Sequence, residues 1–410
     1  MVSATPNCQP NPNCPPPAGK KEKLKLTPQE RRASSSLALL FAVRMLGLFL
    51  LTPVFADAAK TLIEGDNVAL VGLAIGAYGL TQAIMQIPFG MISDKFGRRP
   101  VIIAGMALFI LGGIVCAMSD SVTGVIIGRA IQGFGAVSAA ITAWVADATR
   151  PEVRTRAMAM VGGSIAISFA VSLVLSPLLV KIAGLSGLFW TISALGFICL
   201  LLATFMVPVV PMHDHAIPDV SVKEVMKNDS LMRLNFGVFC LHFILMAMFV
   251  VLPSLIVQVA GFEIGQLWEV YLPVILVAFV LMVPGVFYVE TRKVHQLGLD
   301  VSVAVLAVVM ALFPLASHYF ASIVLALIVF FWAFNMLEAL QPSMVSRVSP
   351  PQHKGLAMGL YNMCQAFGVA AGGALGGLIA HYGGSSFVFL LGAAIAALWF
   401  FVSRGMKALT

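Results

Sequence analysis

The stretch Gly90-Met-Ile-Ser-Asp94-Lys-Phe-Gly97-Arg98-Arg99-Pro100 separates two long apolar runs. Charged residues are rare elsewhere, because only 10% of the chain is charged while 60% is hydrophobic, and the mean hydropathy is +0.96. A soluble domain of average composition is about 25% charged. The bilayer is therefore the natural solvent for this chain, and the stretch reads as a tight connection between two membrane-spanning helices.

Working outward from this connection, twelve apolar segments are long enough to span, since a span needs roughly 20 apolar residues. They predict an all-α membrane protein with twelve transmembrane helices. The segments are 35–57, 67–91, 99–119, 122–147, 155–183, 186–208, 231–258, 266–290, 297–317, 319–345, 355–382 and 385–405.

Lys and Arg residues cluster in alternate connections between these segments. Loops on the cytoplasmic side carry an excess of such cations. The N-terminal tail, the connections after the even-numbered segments and the C-terminus hold nearly all of them, whereas the remaining connections hold only Lys60 and Lys181. We therefore expect a multi-pass protein of a bacterial inner (cytoplasmic) membrane, with both termini in the cytoplasm.

The segments divide into two similar groups of six. Pro151-Glu-Val-Arg154-Thr-Arg-Ala157-Met158 is echoed 200 positions later, by subtraction, in Pro351-Gln-His-Lys354-Gly-Leu-Ala357-Met358. Such a half-length repeat is typical of duplicated transporter halves. We predict a disordered cytoplasmic tail, an N-terminal half, a cytoplasmic linker and a C-terminal half, at 1–34, 35–208, 209–230 and 231–410.

The connection quoted first resembles the GxLaDrxGrkxxl signature of the major facilitator superfamily, which implies the major facilitator fold. The matching residues are Gly90, Asp94, Gly97, Arg98 and Arg99. The resemblance implies a conformational latch that joins the halves on the cytoplasmic side. In it, Asp94 meets the start of helix eleven near Lys354, and Arg98 pairs with Asp147. An ordinary charged loop would satisfy the orientation rule, but it would not explain the glycines.

Further stretches resemble the YajR-type branch of this superfamily, such as Val43-Arg44-Met45-Leu46-Gly47 and Ala333-Phe-Asn335-Met-Leu-Glu338. That resemblance implies a proton-driven efflux permease of the drug:proton antiporter type. YajR-type proteins can carry a soluble domain after helix twelve, and we expect none in this chain. The glycine–proline motif of exporters is replaced by Ser176-Pro177 in segment five, which leaves an importer open.

Polar residues within the spans are the candidates for proton coupling and for the substrate cavity. A charged side chain in a span is costly and usually faces a cavity or a partner. The proton-coupling candidates are Arg44, Arg129, Glu338, Asp57 and His242. Arg129 lies in Gly128-Arg-Ala-Ile-Gln132-Gly-Phe-Gly135, which resembles the family's RxxQGxG motif. For Glu338, a structural hydrogen bond between helices is an equally good interpretation.

Tyr78, Gln82 and Gln86 share one helix face at i, i+4 and i+8. Together with Asn335, one turn before Glu338, they are the candidates for lining the substrate cavity. Ties between neighbouring helices would explain these side chains as well.

The functional prediction is a secondary transporter that exports small, mostly hydrophobic compounds in exchange for protons. An importer or exchanger of one metabolite, or a membrane sensor without transport, are the alternatives. We predict no enzyme, because the motifs of ATPases, α/β-hydrolases and zinc proteases are missing from the sequence. We expect a monomer with the proton gradient as its energy source, no cofactor, no metal and no nucleic-acid partner.

Overall fold

The structure is a computed structural model that describes residues 26–135, 137–208, 226–349 and 354–406. The described part is helical, and its one β-bridge joins Ile63 to Ser121. Within these ranges the α-helices, thirteen in number, are in chain order α1 Pro28–Phe49, α2 Phe55–Ala58, α3 Val68–Phe96, α4 Arg98–Ala117, α5 Val122–Phe134, α6 Ser138–Asp147, α7 Pro151–Leu201, α8 Asp229–Ala260, α9 Trp268–Arg292, α10 His295–Ala316, α11 Phe320–Val348, α12 Lys354–Gly383 and α13 Ser385–Arg404.

The first helix begins at Pro28, earlier than the predicted start of the span at residue 35. Thr27 and Glu30 form a capping box, in which each side chain accepts a hydrogen bond from the other residue's backbone N–H. Glu30 also accepts from the Nε of Arg150 at 2.8 Å, which fixes this end of α1 against the start of α7. Part of the predicted tail is therefore helical, while residues 1–25 lie outside the described residues.

Helix α7 contains two spans. Its 51 residues would extend about 75 Å, whereas the bilayer core is about 30 Å thick. Gly184 breaks the helical path with φ 66° and ψ −172°, a region that only glycine adopts readily. The described residues include eleven helical stretches long and apolar enough to span, and one of these, Ile167–Met206, holds the reversal at Gly184. The twelve-helix prediction is thereby confirmed.

The two halves repeat this turn. Gly384 joins α12 to α13 with φ 81° and ψ 177°, close to the values at Gly184, and the two glycines lie 200 positions apart by subtraction. This offset equals that of the sequence repeat at Pro151 and Pro351. The linker region 209–225 lies outside the described residues.

Span four is interrupted, although its hydropathy is continuous. Helix α5 ends at Phe134 and α6 begins at Ser138. Two glycines bring the interrupted segment close to its neighbours. A Cβ on Gly133 would collide with the backbone oxygen of Tyr78, and one on Gly135 with the backbone oxygen of Gly105. At this break, span four therefore packs directly against the backbones of α3 and α4.

The halves meet along α3 and α12, where small residues allow the backbones to approach. A Cβ on Gly79 would lie 2.8 Å from the carbonyl oxygen of Ala366, and one on Gly76 would lie 2.5 Å from that of Ala370. Gly72 faces Gly373 and Gly377 in the same way. These residues lie in the first turns of α3 and the later turns of α12.

We call the membrane side at which α1 begins the tail side, and the opposite side the far side. Helix α3 begins on the far side and α12 ends there, so their contact closes the far side. Other contacts between the halves lie there too. The hydroxyl of Tyr271 donates to the carbonyl oxygen of Pro53 at 3.3 Å, and Gly265 packs against the Lys181 side chain. The described structure is therefore closed on its far side.

Candidate functional site

The N-terminal half holds a buried guanidinium in the last two turns of α1, five residues before its end at Phe49. Arg44 is 1% exposed and donates to the hydroxyl oxygens of Ser138 at 2.6 Å and Tyr78 at 2.7 Å. Its Nε has no hydrogen-bond partner among the described residues. Three spans thus meet at Arg44, because Tyr78 belongs to α3 and Ser138 begins α6.

A second buried guanidinium lies on the other side of Tyr78. The Cζ of Arg129 is 4.7 Å from the centroid of the Tyr78 ring, and its Nη1 donates to Gln132 Oε1 at 3.1 Å. A cation over an aromatic face is attracted by the ring's negative π surface. No ion pair among the described residues joins Arg44 or Arg129 to a carboxylate. The site therefore carries buried positive charge that only polar groups and a ring stabilise.

The predicted polar face of α3 adjoins this cluster. Gln82 Nε2 lies 3.3 Å from Ser138 Oγ, while both amide atoms of Gln86 are buried and have no hydrogen-bond partner within the described part of the chain. An unpaired buried amide costs about 1–3 kcal/mol, so its retention suggests a partner in another state or a ligand. The face thus meets Arg44 directly through Tyr78, and Gln82 meets it through Ser138.

The C-terminal half holds a carboxyl–imidazole pair. Glu338 Oε1 of α11 lies 3.5 Å from His242 Nε2 of α8, and Gln365 Nε2 of α12 lies 2.6 Å from that same imidazole nitrogen. The Nδ1 of His242 lies 3.1 Å from the carbonyl oxygen of Val238. His242 is 3% exposed, whereas the Glu338 side chain is 23% exposed. The carboxyl is thus the more exposed member of this pair.

Further polar atoms around Glu338 lack partners among the described residues. They are Glu338 Oε1 itself, which makes no hydrogen bond at 3.5 Å, the Tyr361 hydroxyl and the Asn335 Nδ2. Asn335 lies one turn before Glu338 on α11, as the sequence predicts. Such a group of unpaired buried atoms has spare capacity for a proton, a water molecule or a ligand.

An aromatic cluster lies across the junction of the halves. Phe169 of α7 contacts three phenylalanines of the C-terminal half, with ring centroids 5.8–6.4 Å apart: Phe249, Phe331 and Phe334. Phe49 of α1 packs edge-on against Phe169 at 5.1 Å. The ring of Phe334 is 6.0 Å from that of His242, so the cluster adjoins the Glu338 group.

The charged connection between α3 and α4 forms a small network. The Nε of Arg98 donates to Asp147 Oδ2 at 2.8 Å, and its Nη1 donates to Ser93 Oγ at 2.7 Å. Arg99 Nε donates to the carbonyl oxygen of Ala203 at 3.1 Å. Gly97 has φ 91°, which explains the glycine at this turn. The expected contact of Asp94 with Lys354 lies outside the side chains that the structure describes.

Asp57 lies on the far side, away from the other candidates. It pairs with Lys60, three residues on, and Ser254 Oγ lies 3.5 Å from Asp57 Oδ1.

Gly90, the first glycine of the predicted latch, makes only loose contact with the neighbouring helix, since a Cβ at this position would be 3.8 Å from the Cβ of Ala139.

Known proteins identify the class of molecule that holds this arrangement. A family model described as Major Facilitator Superfamily matches residues 37–365 and 301–406. The chain belongs to the Major Facilitator Superfamily. The inner membrane transport protein YajR of Escherichia coli K12 is 42% identical over 387 residues, which are 93% of this chain and 85% of YajR. The uncharacterized transporter BU466 of Buchnera aphidicola is 32% identical over 84% of this chain and 89% of that protein.

Solved structures share the fold at low sequence identity. The human organic anion transporter MFSD10 superposes with a TM-score of 0.66 at 17% identity, covering 92% of this chain and 100% of that one. A bacterial homolog of the lysosomal transporter Spinster, in an inward-facing conformation, gives 0.70 at 13% identity, covering 93% and 98%. Membership of the superfamily, which the family model and the similarity to YajR show, makes this chain a multi-pass membrane transporter and not an enzyme.

Several residues of the polar groups around Arg44 and Glu338 could not be predicted from the sequence. Ser138, Gln365 and Tyr361 lie in apolar or small-residue segments, where a single hydroxyl or amide carries no periodic signal. Ser138 follows the interruption of span four, and Gln365 is 123 positions from His242. A hint was present only for Gln132, which belongs to the quoted motif around Arg129.

Proposed function

We propose that this transporter exports small, mostly hydrophobic compounds in exchange for protons, by alternating access across a bacterial inner membrane. The alternation of Lys and Arg supports a cytoplasmic tail side. The single observation that carries the proposal is the pair formed by Glu338 and His242, a carboxyl and an imidazole inside the C-terminal half.

Glu338 is suited to carry the proton. A carboxyl inside a membrane span is costly as an anion, and here no Lys or Arg among the described residues compensates it. His242 and Gln365 are the adjacent groups that can exchange hydrogen bonds with it or with a water molecule. Protonation would change the charge of the group, and hence the stability of each conformation of the two halves.

The N-terminal cluster supports a role in coupling rather than in cargo binding. Arg44 and Arg129 are almost fully buried, so a hydrophobic cargo would not touch them directly. The positive charge of these two side chains raises the free energy of binding any further cation close to them.

The known relatives favour export as well. Multidrug resistance protein MdtL of Escherichia coli is 27% identical over 206 residues, 48% of this chain and 52% of MdtL. Multidrug resistance protein D of Escherichia coli K12 is 39% identical over 99 residues. The multidrug resistance for which these two relatives are named supports export of drug-like compounds by this chain.

The test is proton movement in proteoliposomes that hold a pH indicator and an imposed proton gradient. A panel of lipophilic cations, dyes and antibiotics is added first, followed by common metabolites. We expect cargo-dependent proton movement in the antiport direction, lost in Glu338→Gln. Glu290→Gln is the matched control, because Glu290 pairs with Arg347 at 2.9 Å on the tail side and lies outside the candidate group.

The outcomes separate the alternatives. Coupled movement that persists in Glu338→Gln would assign the proton to Asp57 or to another group. Movement in the symport direction with a single metabolite would replace the exporter with an importer. Absence of any coupled flux, with the protein correctly inserted, would favour the sensor.

A further inference from the structure

Helix α12 packs backbone to backbone against α8. A Cβ on Gly368 would collide with the carbonyl oxygen of Phe239, and one on Gly372 would collide with that of Phe243. Small residues allow such close approach between spanning helices. His242 lies between these two contacts along α8, so it is placed where the two helices are closest.

Within the described part of the chain, one side-chain hydrogen bond joins α12 to another helix. Gln365 Nε2 lies 2.6 Å from His242 Nε2. An amide nitrogen can only donate, so the imidazole Nε2 accepts. The Nδ1 of His242 lies 3.1 Å from the carbonyl oxygen of Val238, which can only accept. The imidazole is therefore neutral, with its proton on Nδ1 and its lone pair on Nε2.

Glu338 approaches the same lone pair. Its Oε1 lies 3.5 Å from His242 Nε2. An imidazole nitrogen has one lone pair, so a protonated Glu338 that donates to Nε2 takes the place of Gln365. A proton on Nε2 itself removes the lone pair altogether. Either position of the proton ends the hydrogen bond from Gln365, and this bond persists only in the deprotonated pair.

Gln365 adjoins the contact that closes the far side. The carbonyl oxygen of the next residue, Ala366, would lie 2.8 Å from a Cβ on Gly79 of α3. One turn further along α12, the carbonyl oxygen of Ala370 would lie 2.5 Å from a Cβ on Gly76. A hydrogen bond that fixes Gln365 therefore also fixes the segment of α12 against which α3 packs.

Few other titratable side chains adjoin this group. Tyr361, one turn before Gln365 on α12, faces Glu338, and Cys364 precedes Gln365 in the chain. Among the described residues of the surrounding helices, no Lys, Arg or further acid forms an ion pair with Glu338 or His242. Phenols and thiols stay protonated near neutral pH. The carboxyl–imidazole pair is thus the group through which pH acts on the Gln365 bond.

We propose that Gln365 is the positioning residue that couples the protonation of the Glu338–His242 pair to closure of the far side, because it holds α12 in place only when the pair has lost its proton. The inference rests on the proposed role of that pair in proton exchange. Because the far side is closed in this conformation, the proton leaves toward the tail side. The deprotonated protein is then kept from reopening to the far side without cargo, and the proton gradient is not dissipated.

The test is the distance between labels at Thr61 and Glu263, one in each half on the far side, in liposomes without cargo. It is measured from mildly acidic to mildly alkaline pH. One net hydrogen bond corresponds to a factor of about 2 to 12 in an equilibrium constant. We expect the ratio of far-side-closed to far-side-open protein to rise with pH by this factor. Gln365→Met keeps the length of the side chain without its N–H, and we expect it to lose the rise.

Gln296→Met is the matched control. Gln296 Nε2 donates to the carbonyl oxygen of Ser403 at 3.0 Å and so joins α10 to α13. The control therefore also removes a glutamine hydrogen bond between two helices of the C-terminal half, but away from α12. It is expected to keep the pH response. Gln365→Met is also expected to raise the proton leak of proteoliposomes without cargo, whereas Gln296→Met is not.

The outcomes distinguish this inference from the proposed function. A pH response that survives in a well-folded Gln365→Met protein but vanishes in Glu338→Gln would overturn the role of Gln365 and leave the proton site standing. Survival in both variants would overturn that role and assign the proton to a group outside the pair. A label distance that does not change with pH in the unmodified protein would overturn the inference too. Cargo-dependent proton movement decides the exchange of cargo for protons separately.

A measurement on the unmodified protein keeps the inference testable even if Gln365→Met fails to fold. Nuclear magnetic resonance of protein with isotope-labelled histidine reports which imidazole nitrogen carries the proton, and the signal of His242 is assigned by its loss in His242→Gln. At alkaline pH we expect the proton of His242 on Nδ1. A proton on Nε2 would overturn the inference, because Gln365 could not then donate to that nitrogen.

Discussion

Replacing Gly76 with valine tests whether the contact between α3 and α12 holds the far side closed. A Cβ at this position would lie 2.5 Å from the carbonyl oxygen of Ala370 and 3.1 Å from the backbone nitrogen of Ala374. Backbone atoms cannot rotate away as a side chain can. Overpacking of this kind costs about 1–3 kcal/mol, and the cost falls only on conformations in which the two helices touch. The equilibrium should therefore move about 5- to 150-fold away from the far-side-closed state.

The assay is the distance between two labels on the far side, one in each half. Thr61 and Glu263 are exposed there, and labels attached through unnatural amino acids avoid the native cysteines. We expect single-molecule or pulsed-resonance distances in liposomes to gain a longer component in Gly76→Val.

Gly196→Val is the matched control for this prediction. Its Cβ would lie 2.9 Å from the Phe109 ring, so it overpacks a contact within the N-terminal half alone. It should lower the thermal stability without changing the label distance. If a well-folded Gly76→Val protein kept the distance distribution of the unmodified protein, the inference that this junction sets the conformation would be refuted.

Three more substitutions probe other features. Phe169→Ala removes the ring through which the aromatic cluster joins the halves, and we expect this cluster to seal the junction against protons. The passive proton leak of proteoliposomes without cargo should therefore rise, and an unchanged leak would contradict a sealing role. Asp147→Asn removes the ion pair with Arg98, which as an exposed pair is worth about 0–1 kcal/mol in stability; we therefore expect a nearly unchanged melting temperature but slower transport, measured as cargo flux. Gly184→Ala forces a side chain into a glycine-only conformation and should destabilise the protein by about 1–3 kcal/mol, seen as earlier thermal unfolding, whereas Gly359→Ala, which would meet nothing within 4 Å, should not.

The number of spans could be predicted because hydropathy reports directly on burial in lipid. The break between α5 and α6 could not, since Gly135 and its neighbours keep the segment apolar throughout. Interruption there depends on how closely other backbones approach, which is a property of the packed bundle. From the sequence, the region of Gly184 could be predicted only as a short boundary between two spans. The positive φ of Gly184 arises because the chain reverses its direction at this residue, and hydropathy does not report a reversal.

Polar groups were predictable one at a time and not as partners. The period of a helix places Tyr78 and Gln82 on one face. In the structure Gln82 lies next to Ser138, and Tyr78 accepts from Arg44, which also donates to Ser138. Neither Ser138 nor Gln365 stands out in the sequence, because contacts between distant spans carry no spacing rule. The pairing of Arg98 with Asp147 was expected from the family resemblance, and the residues alone would not have indicated it.

Arg44, which donates to the Tyr78 hydroxyl, and Arg129, which lies over the Tyr78 ring, place two positive charges inside the N-terminal half. Two guanidinium charges without a carboxylate partner among the described residues must do work against the membrane potential whenever that half tilts. Moving one charge through 100 mV corresponds to about 2.3 kcal/mol. A tilt that carries both charges through a tenth of this potential changes the balance of conformations by about 0.5 kcal/mol. A membrane voltage of this size would thus bias any tilt of the N-terminal half, independently of any chemical gradient.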